Sequence, residues 1–369
     1  MDSRAYWLAF HRIPRIGAVR IRALLNAFGD LERAWNASEA ELESTGLGPG
    51  VLRVLVDGRI AIDPAEEWRR LEGSGASLAT WVDETYPAWL RALSIAPPVL
   101  FLRGQILPRD EIAVAMVGTR QPTPYGTAVA AEFAQAWARA GVTVVSGLAR
   151  GIDSTGHRSA LEAGGRTLAV LGSGVDRIYP REHEQLAEAI VEHGALVSDY
   201  PLGTGPDPRN FPPRNRLIAG LSRAVVVVEA GEESGALLTA EFAVEQGIEV
   251  WAVPGPVHGR ASVGTNRLIA RGARVALSPD EVIASLPAAG PGQVVPAGPD
   301  LVEDPIDRQI LQVVEQGPTH VDEVQNRCHL SASQVAVSLA MLELRGYVQQ
   351  VGGMQYVRVR ELARPYSAE

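Results

Sequence analysis

At 369 residues, 46% of them hydrophobic, the chain is long enough for two or three domains with real cores. All 34 basic residues are arginine, which excludes a lysine Schiff base and a Walker A lysine, and the single cysteine, Cys328, excludes a disulfide framework and a cysteine-cluster metal site. A formal net charge of −9 argues against general coating of nucleic acid while leaving room for a local basic pocket. The chain has no uncharged apolar run of membrane-spanning length. Met1-Asp2-Ser3-Arg4 leads into aromatic and charged residues unlike a secretory signal, so a cytoplasmic protein is expected.

Residues 1–65 read as a small helical domain. Val19, Ile21, Leu24 and Leu25 carry helical spacing after the turn Ile13-Pro14-Arg15-Ile16-Gly17, and Phe28-Gly29 closes the segment. A second glycine turn, Gly46 to Gly50, precedes Val51, Leu52, Val54 and Leu55. Such apolar-x-Gly turns either pack a domain or offer backbone N–H groups to a phosphate, as helix-hairpin-helix modules do. Residues 66–110 form a bridge rich in aromatic residues (Trp68, Trp81, Tyr86, Trp89) that ends in an apolar run at 99–102 expected to be a strand. Packing is the favoured role for the tryptophans over base stacking.

Residues 111–286 alternate apolar runs, at 112–117, 142–146, 166–171, 195–198, 224–228 and 248–253, with longer amphipathic stretches. That pattern predicts a largely parallel sheet covered by helices on both faces, with ligands bound where strand ends meet the following loops. These loops are rich in glycine and polar groups: Gly118-Thr119-Arg120 before a helix at 127–140; Ser146-Gly147-Leu148-Ala149-Arg150-Gly151-Ile152-Asp153 before a helix at 154–163; and Gly172-Ser173-Gly174 after the next strand. His157 reads as a packing or capping residue more readily than as a catalyst. The stretch Arg209 to Arg216, with Arg209, Asn210, Arg214, Asn215 and Arg216, forms an expected phosphate-binding rim, and Ser234-Gly235 precedes a helix at 236–246. Glu229 and Glu241 are candidates for acid and base if the chain is an enzyme. The dinucleotide fingerprint is absent, and no cofactor is implied.

Residues 287–304 are a Pro/Gly linker, and 305–361 read as three helices and a hairpin, the pattern of a winged helix. Ser331-Ala332-Ser333-Gln334 has the form of a capping box at the third helix. With five acidic and five basic residues over 305–360, this domain is expected to contact protein rather than grip a duplex.

The loops together resemble the DprA/Smf family of bacterial DNA-processing proteins over nearly the whole length. The matching segments include Val117-Gly118-Thr119-Arg120, Ser146 to Asp153, Gly172-Ser173-Gly174-Val175-Asp176 with Tyr179-Pro180, Phe211 to Ile218, Ser234-Gly235 and Asn266-Arg267-Leu268-Ile269. The resemblance implies an extended Rossmann-like core, an N-terminal helical domain of helix-hairpin-helix or SAM-like type, and a C-terminal winged helix. It implies a single-stranded DNA-binding protein that protects incoming DNA and loads the RecA recombinase during natural transformation. It also implies a homodimer through the Rossmann-like domain. The DNA-binding residues would be Gly118, Thr119, Arg120, Ser146, Gly147, Arg150, Gly172, Gly174, Arg214, Asn215, Arg216, Ser234 and Gly235, with Arg120 lining the pocket. Glu233 stands where the family commonly has lysine, and His183 where asparagine is usual. The alternative is a nucleoside-monophosphate phosphoribohydrolase-like enzyme using Glu229 and Glu241, although the segment 230–241 stretches that signature.

Overall fold

The computed structural model describes residues 2–94, 96–286, 305–314, 319–328, 330–344, 348–352 and 355–358. The chain divides into two compact units, Met1–Ala289 and Gly290–Glu369.

The first unit opens with six helices: α1 (Arg4–Arg12), α2 (Ala18–Phe28), α3 (Leu31–Asn36), α4 (Glu39–Glu43), α5 (Pro49–Ala61) and α6 (Pro64–Glu72). Strand β1 (Ser77–Thr80), the short helix α7 (Ala88–Arg91) and β2 (Val99–Gly104) follow. The alternating region then runs β3 (Ala113–Val117), α8 (Pro124–Arg139), β4 (Thr143–Ser146), α9 (Ile152–Glu162), β5 (Thr167–Val170), α10 (Glu184–His193) and β6 (Gly194–Ser198). It continues through α11 (Phe211–Gly220), β7 (Ala224–Val227), α12 (Ala236–Glu245), β8 (Glu249–Ala252), α13 (Val263–Ala270), β9 (Arg274–Val275) and α14 (Pro279–Ser285). Each strand expected at 112–253 forms, within a residue or two of its apolar run.

The nine strands make one sheet in the order β1-β2-β6-β5-β4-β3-β7-β8-β9. From β6 to β9 all pairings are parallel, whereas β2 runs antiparallel to β6, and β1 antiparallel to β2. The bridge therefore supplies two strands to the sheet. Along β3, Ala113, Ala115 and Val117 face the layer that contains α11 and α12, while Val114 and Met116 face α8 and α9. Both faces are covered, which is why these strands read as unbroken apolar runs.

A third cluster joins the N-terminal helices to the sheet. Trp7, Phe10, Ile21 and Leu24 pack in the same buried group as Leu78, Phe101, Leu171 and Leu196. Trp81 meets Trp7 edge-on at 6.3 Å between ring centroids, so the bridge tryptophan does pack. Gly29, with φ of 82°, terminates α2 by returning its N–H to the Leu25 carbonyl.

In the second unit, α15 (Pro305–Val314), α16 (Val321–Cys328) and α17 (Ala332–Leu344) pack around Ile310, Leu311, Val324, Val335 and Leu339, with Cys328 buried among them. Strands β10 (Thr319–His320), β11 (Val348–Gly352) and β12 (Gln355–Arg358) form a small sheet, completing a winged helix. The capping box is present: Gln334 Oε1 accepts from the Ser331 backbone N–H at 3.1 Å, and Ser331 Oγ accepts from the Gln334 N–H. The linker and Gly346-Tyr347 fall outside the described residues.

Candidate nucleic-acid interface

Strand β3 sits where the winding of the sheet reverses, with β4 on one side and β7 on the other. Loops from both neighbours and from β3 itself surround a cleft of about 700 Å³ at the strands' carboxyl ends, the position expected for a ligand site in such a sheet. The loop after β3 contributes Gly118, Thr119, Arg120 and Gln121; the loop after β7 contributes Gly231, Glu233, Ser234 and Gly235; α11 contributes Phe211, Arg214, Asn215 and Ile218.

Helix α8 starts three residues earlier than its apolar pattern suggests, because Thr123 caps it and Pro124 occupies the first turn. The cap is held from below. Glu229 is 4% exposed, and its carboxylate accepts from Thr123 N–H at 2.8 Å and Thr123 Oγ1–H at 2.5 Å. A Cβ on Gly126 would collide with the same carboxylate. Glu229 thus supports the start of α8 from below. Glu241 is exposed on α12, and neither carboxylate lines the cleft, so the acid–base pair of the hydrolase alternative is not assembled there. Gly118 is required by space: a Cβ there would lie 2.6 Å from Ile152 Cγ1 and 2.9 Å from the Glu229 carbonyl.

The two cleft arginines have different surroundings. Arg120 is exposed and forms no ion pair among the described residues; its guanidinium lies 5.9 Å from the Phe211 ring. Arg214 is 5% exposed and lies 5.9 Å from that same ring. It donates to the Gly147 carbonyl at 2.8 Å and to the Val170 carbonyl. Burial brings its pKa down to about 10, opposed by the charge of Asp153. Asp153 accepts from the N–H groups of Gly147 at 3.1 Å and Ala149 at 3.3 Å, and burial raises its pKa against those contacts. Arg214 and Asp153 thus each hold backbone groups of the β4 loop, and their opposite charges attract across Gly147 without a direct ion pair.

The remaining expected residues separate into those at the cleft and those below or beyond it. Thr119, Asn215, Ser234 and Gly235 line the cleft, and Asn215 Nδ2 donates to the Gly235 carbonyl at 3.2 Å. Ser146 is buried and donates to the Met116 carbonyl at 2.6 Å. Gly172 lies under Phe211, where a Cβ would come within 2.7 Å of the ring, and Gly174 is closed in by Asp176 and Pro201. Arg150 is exposed beside the cleft but paired with Glu182 at 2.5 Å, which holds the Glu182 carboxyl below its usual range. Arg216 points away from the cleft and pairs with Asp199 on the other side of α11.

Sequence reasoning passed over the aromatic platform. Tyr179 and Phe211 stand 5.6 Å apart between ring centroids at 36°, with Tyr179 41% exposed, and both line the cleft. Each precedes a proline, and an aromatic–proline pair in a polar loop was the available signal. His157 is fully buried: Nδ1 contacts Thr167 Oγ1 at 2.6 Å, and burial lowers its pKa to about 3. His183 Nδ1 contacts the carbonyl of Leu148, a residue held at φ of 59° in the β4 loop, at 2.9 Å. Both histidines are structural supports beneath the loops. Among the described residues no helix is long and apolar enough to cross a membrane, and no group of three or more acidic, histidine or cysteine side chains converges to hold a metal ion.

A family profile described as DNA recombination-mediator protein A matches residues 77–287, and one described as DprA winged helix domain matches residues 295–354. Protein Smf of Synechocystis is 36% identical, with 97% of this chain and 99% of that protein covered. The X-ray structure of DNA processing protein A from Streptococcus pneumoniae superposes with a TM-score of 0.68 at 30% identity, covering 78% of this chain and 99% of that one. A Helicobacter pylori DNA processing protein A structure, described by its single-stranded DNA binding mode, gives a TM-score of 0.51 at 28% identity over 57% of this chain and 96% of that one. The fold, the loops at the carboxyl ends of its strands and these likenesses agree: the chain belongs to the DprA/Smf family of bacterial DNA-processing proteins.

Proposed function

We propose that this chain binds single-stranded DNA in the cleft at the end of β3, as a recombination mediator and not as an enzyme. The observation that carries the reading is the placement of Arg120, exposed and without an ion-pair partner among the described residues, beside the Tyr179–Phe211 rings. A guanidinium with open donors takes a phosphate, and the exposed Tyr179 ring with the half-buried Phe211 ring beside it offers a stacking surface for unstacked bases. Both contacts suit a flexible strand and neither reads sequence. The single-stranded DNA binding named for the Helicobacter pylori relative supports the same assignment.

Two finer elements belong to this reading by family membership: a homodimer through the Rossmann-like sheet, and delivery of the bound strand to the RecA recombinase in natural transformation. The winged-helix unit then serves protein contact rather than duplex recognition, in keeping with its balanced charge. Anisotropy titrations with matched single-stranded and duplex oligonucleotides test the core of the reading. Tighter binding of the single strand, with little dependence on base composition, is expected; equal affinity for both forms overturns it. Light scattering at micromolar concentration tests the dimer.

A further inference from the structure

A second cavity, of about 630 Å³, lies between the N-terminal helices and the far side of α11. It is lined by Arg12, Arg15, Arg20 and Arg216, with Asp199 as the one carboxylate. Asp199 is committed to Arg216, and Arg12 has only a loose contact with Glu67 at 3.8 Å. Arg15 is exposed and Arg20 half-buried, and neither forms an ion pair among the described residues. On a chain of net charge −9, this cavity gathers an uncompensated positive potential.

The local backbone adds to that potential. Arg15 sits at the tip of the α1–α2 turn with φ of 69°, and its carbonyl accepts from the Arg20 guanidinium. Arg15 and Leu148 are the two non-glycine residues with positive φ among those described, one beside each cavity. Strain of this kind is retained where surroundings hold a group for a purpose. A Cβ on Gly50 would lie 3.9 Å from Arg15 Nη1, so the guanidinium rests against the first turn of α5. Neither α2 nor α5 has a side-chain cap. A cation held against the positive end of a helix is unfavourable alone and becomes favourable once an anion joins them.

We infer that the cavity formed by Arg12, Arg15 and Arg20 is a second backbone-binding surface, which takes phosphodiester groups of nucleic acid beyond the stretch held in the main cleft. This inference is independent of Arg120 and the aromatic platform, since no residue is shared between the two cavities.

The test is a full-length Arg15→Gln/Arg20→Gln variant, titrated over a salt series against a long single-stranded oligonucleotide and against a blunt duplex. Arg15 is exposed and Arg20 half-buried, so melting curves accompany the titrations to check that the fold is retained; Arg15→Lys/Arg20→Lys restores charge, and Arg139→Gln, on an exposed part of α8, controls for net charge. The glutamine variant is expected to bind the long strand about tenfold more weakly, with the log–log salt dependence flatter by about 1.4, twice the single-strand value for one phosphate. The lysine variant should recover most of the loss and Arg139→Gln should show none. A loss on the single strand alone assigns the surface to a continuation of that strand; an equal loss on the duplex assigns it to nucleic-acid backbone in general. Unchanged affinity and slope on both ligands, or an equal loss from Arg139→Gln, overturns the inference. Failure of the main cleft would appear separately, as an Arg120→Ala variant that binds like the parent.

Discussion

Arg214 Nη1 donates to the carbonyl of Gly147 at 2.8 Å, below the floor of the cleft. One of the two arginines under the Phe211 ring is therefore spent on holding the β4 loop, and the other, Arg120, is left open to solvent. Substitutions at the two positions should have opposite signatures.

Arg120→Ala is expected to weaken single-strand binding by about 1–3 kcal/mol, the range for a charged hydrogen bond. The slope of log affinity against log salt should flatten by about 0.7, and the melting temperature should stay close to that of the parent. A salt series with melting curves beside it checks this. An unchanged slope with a clear loss of thermal stability would assign Arg120 to structure.

Arg214→Ala should destabilise the first unit by about 1–3 kcal/mol, because it leaves the buried Gly147 and Val170 carbonyls without their donor and removes the positive charge that opposes the burial of Asp153. All seven tryptophans lie within Met1–Ala289, so tryptophan fluorescence in urea reports on this unit alone. Arg214→Met combined with Asp153→Leu should recover a large part of the loss. If the double variant is no more stable than Arg214→Ala, the uncompensated charge of Asp153 is not part of the cause.

Phe211→Ala should cost about 1–3 kcal/mol of single-strand affinity through lost base stacking. Unlike Arg120→Ala, it should leave the salt slope where it was, since no phosphate contact is removed. A flattened slope would mean that the ring acts by positioning Arg120.

Stability should fall in mild acid through His157. Its pKa in the folded state is about 3, below the ordinary value of 6.5, so between those values the unfolded chain binds the extra proton. Folding is then penalised progressively as pH drops from about 6.5 towards 3, by up to about 1.4 kcal/mol per pH unit. His157→Gln removes this proton, and urea midpoints between pH 4.5 and 7 should vary less for the variant than for the parent. Parallel curves would assign the acid sensitivity to other groups.

A fragment of residues 1–288 should fold and keep most single-strand affinity, since both cavities lie in the first unit. Loss of nearly all binding in that fragment would promote the winged helix to a principal contact surface.

The parallel strands were legible in the sequence because both faces of each are buried and the apolar runs are unbroken. Strand β1 was not, since four residues joined by antiparallel pairing to a bridge segment carry too little pattern. The cleft was legible at its glycine turns but not in the direction of its side chains. Arg214 and Arg216 are neighbours in the sequence, yet two positions on a helix differ by about 200°, so one faces the cleft and the other faces Asp199. The role of Glu229 was hidden for a different reason. Its partner, Thr123, is more than a hundred residues earlier, and only the pairing of β3 with β7 brings them together.

The cluster that joins Trp7 and Phe10 to Phe101 and Leu196 has a consequence for how such a chain can change over generations. A helical segment whose apolar face is completed by a sheet cannot be removed without consequence for that sheet. Its loss would leave one side of the sheet wet, and a lineage that dropped it would have to repaint that side with polar residues or cover it with something new. Where the helices and the sheet occur together, substitutions at their shared boundary are therefore expected to compensate one another.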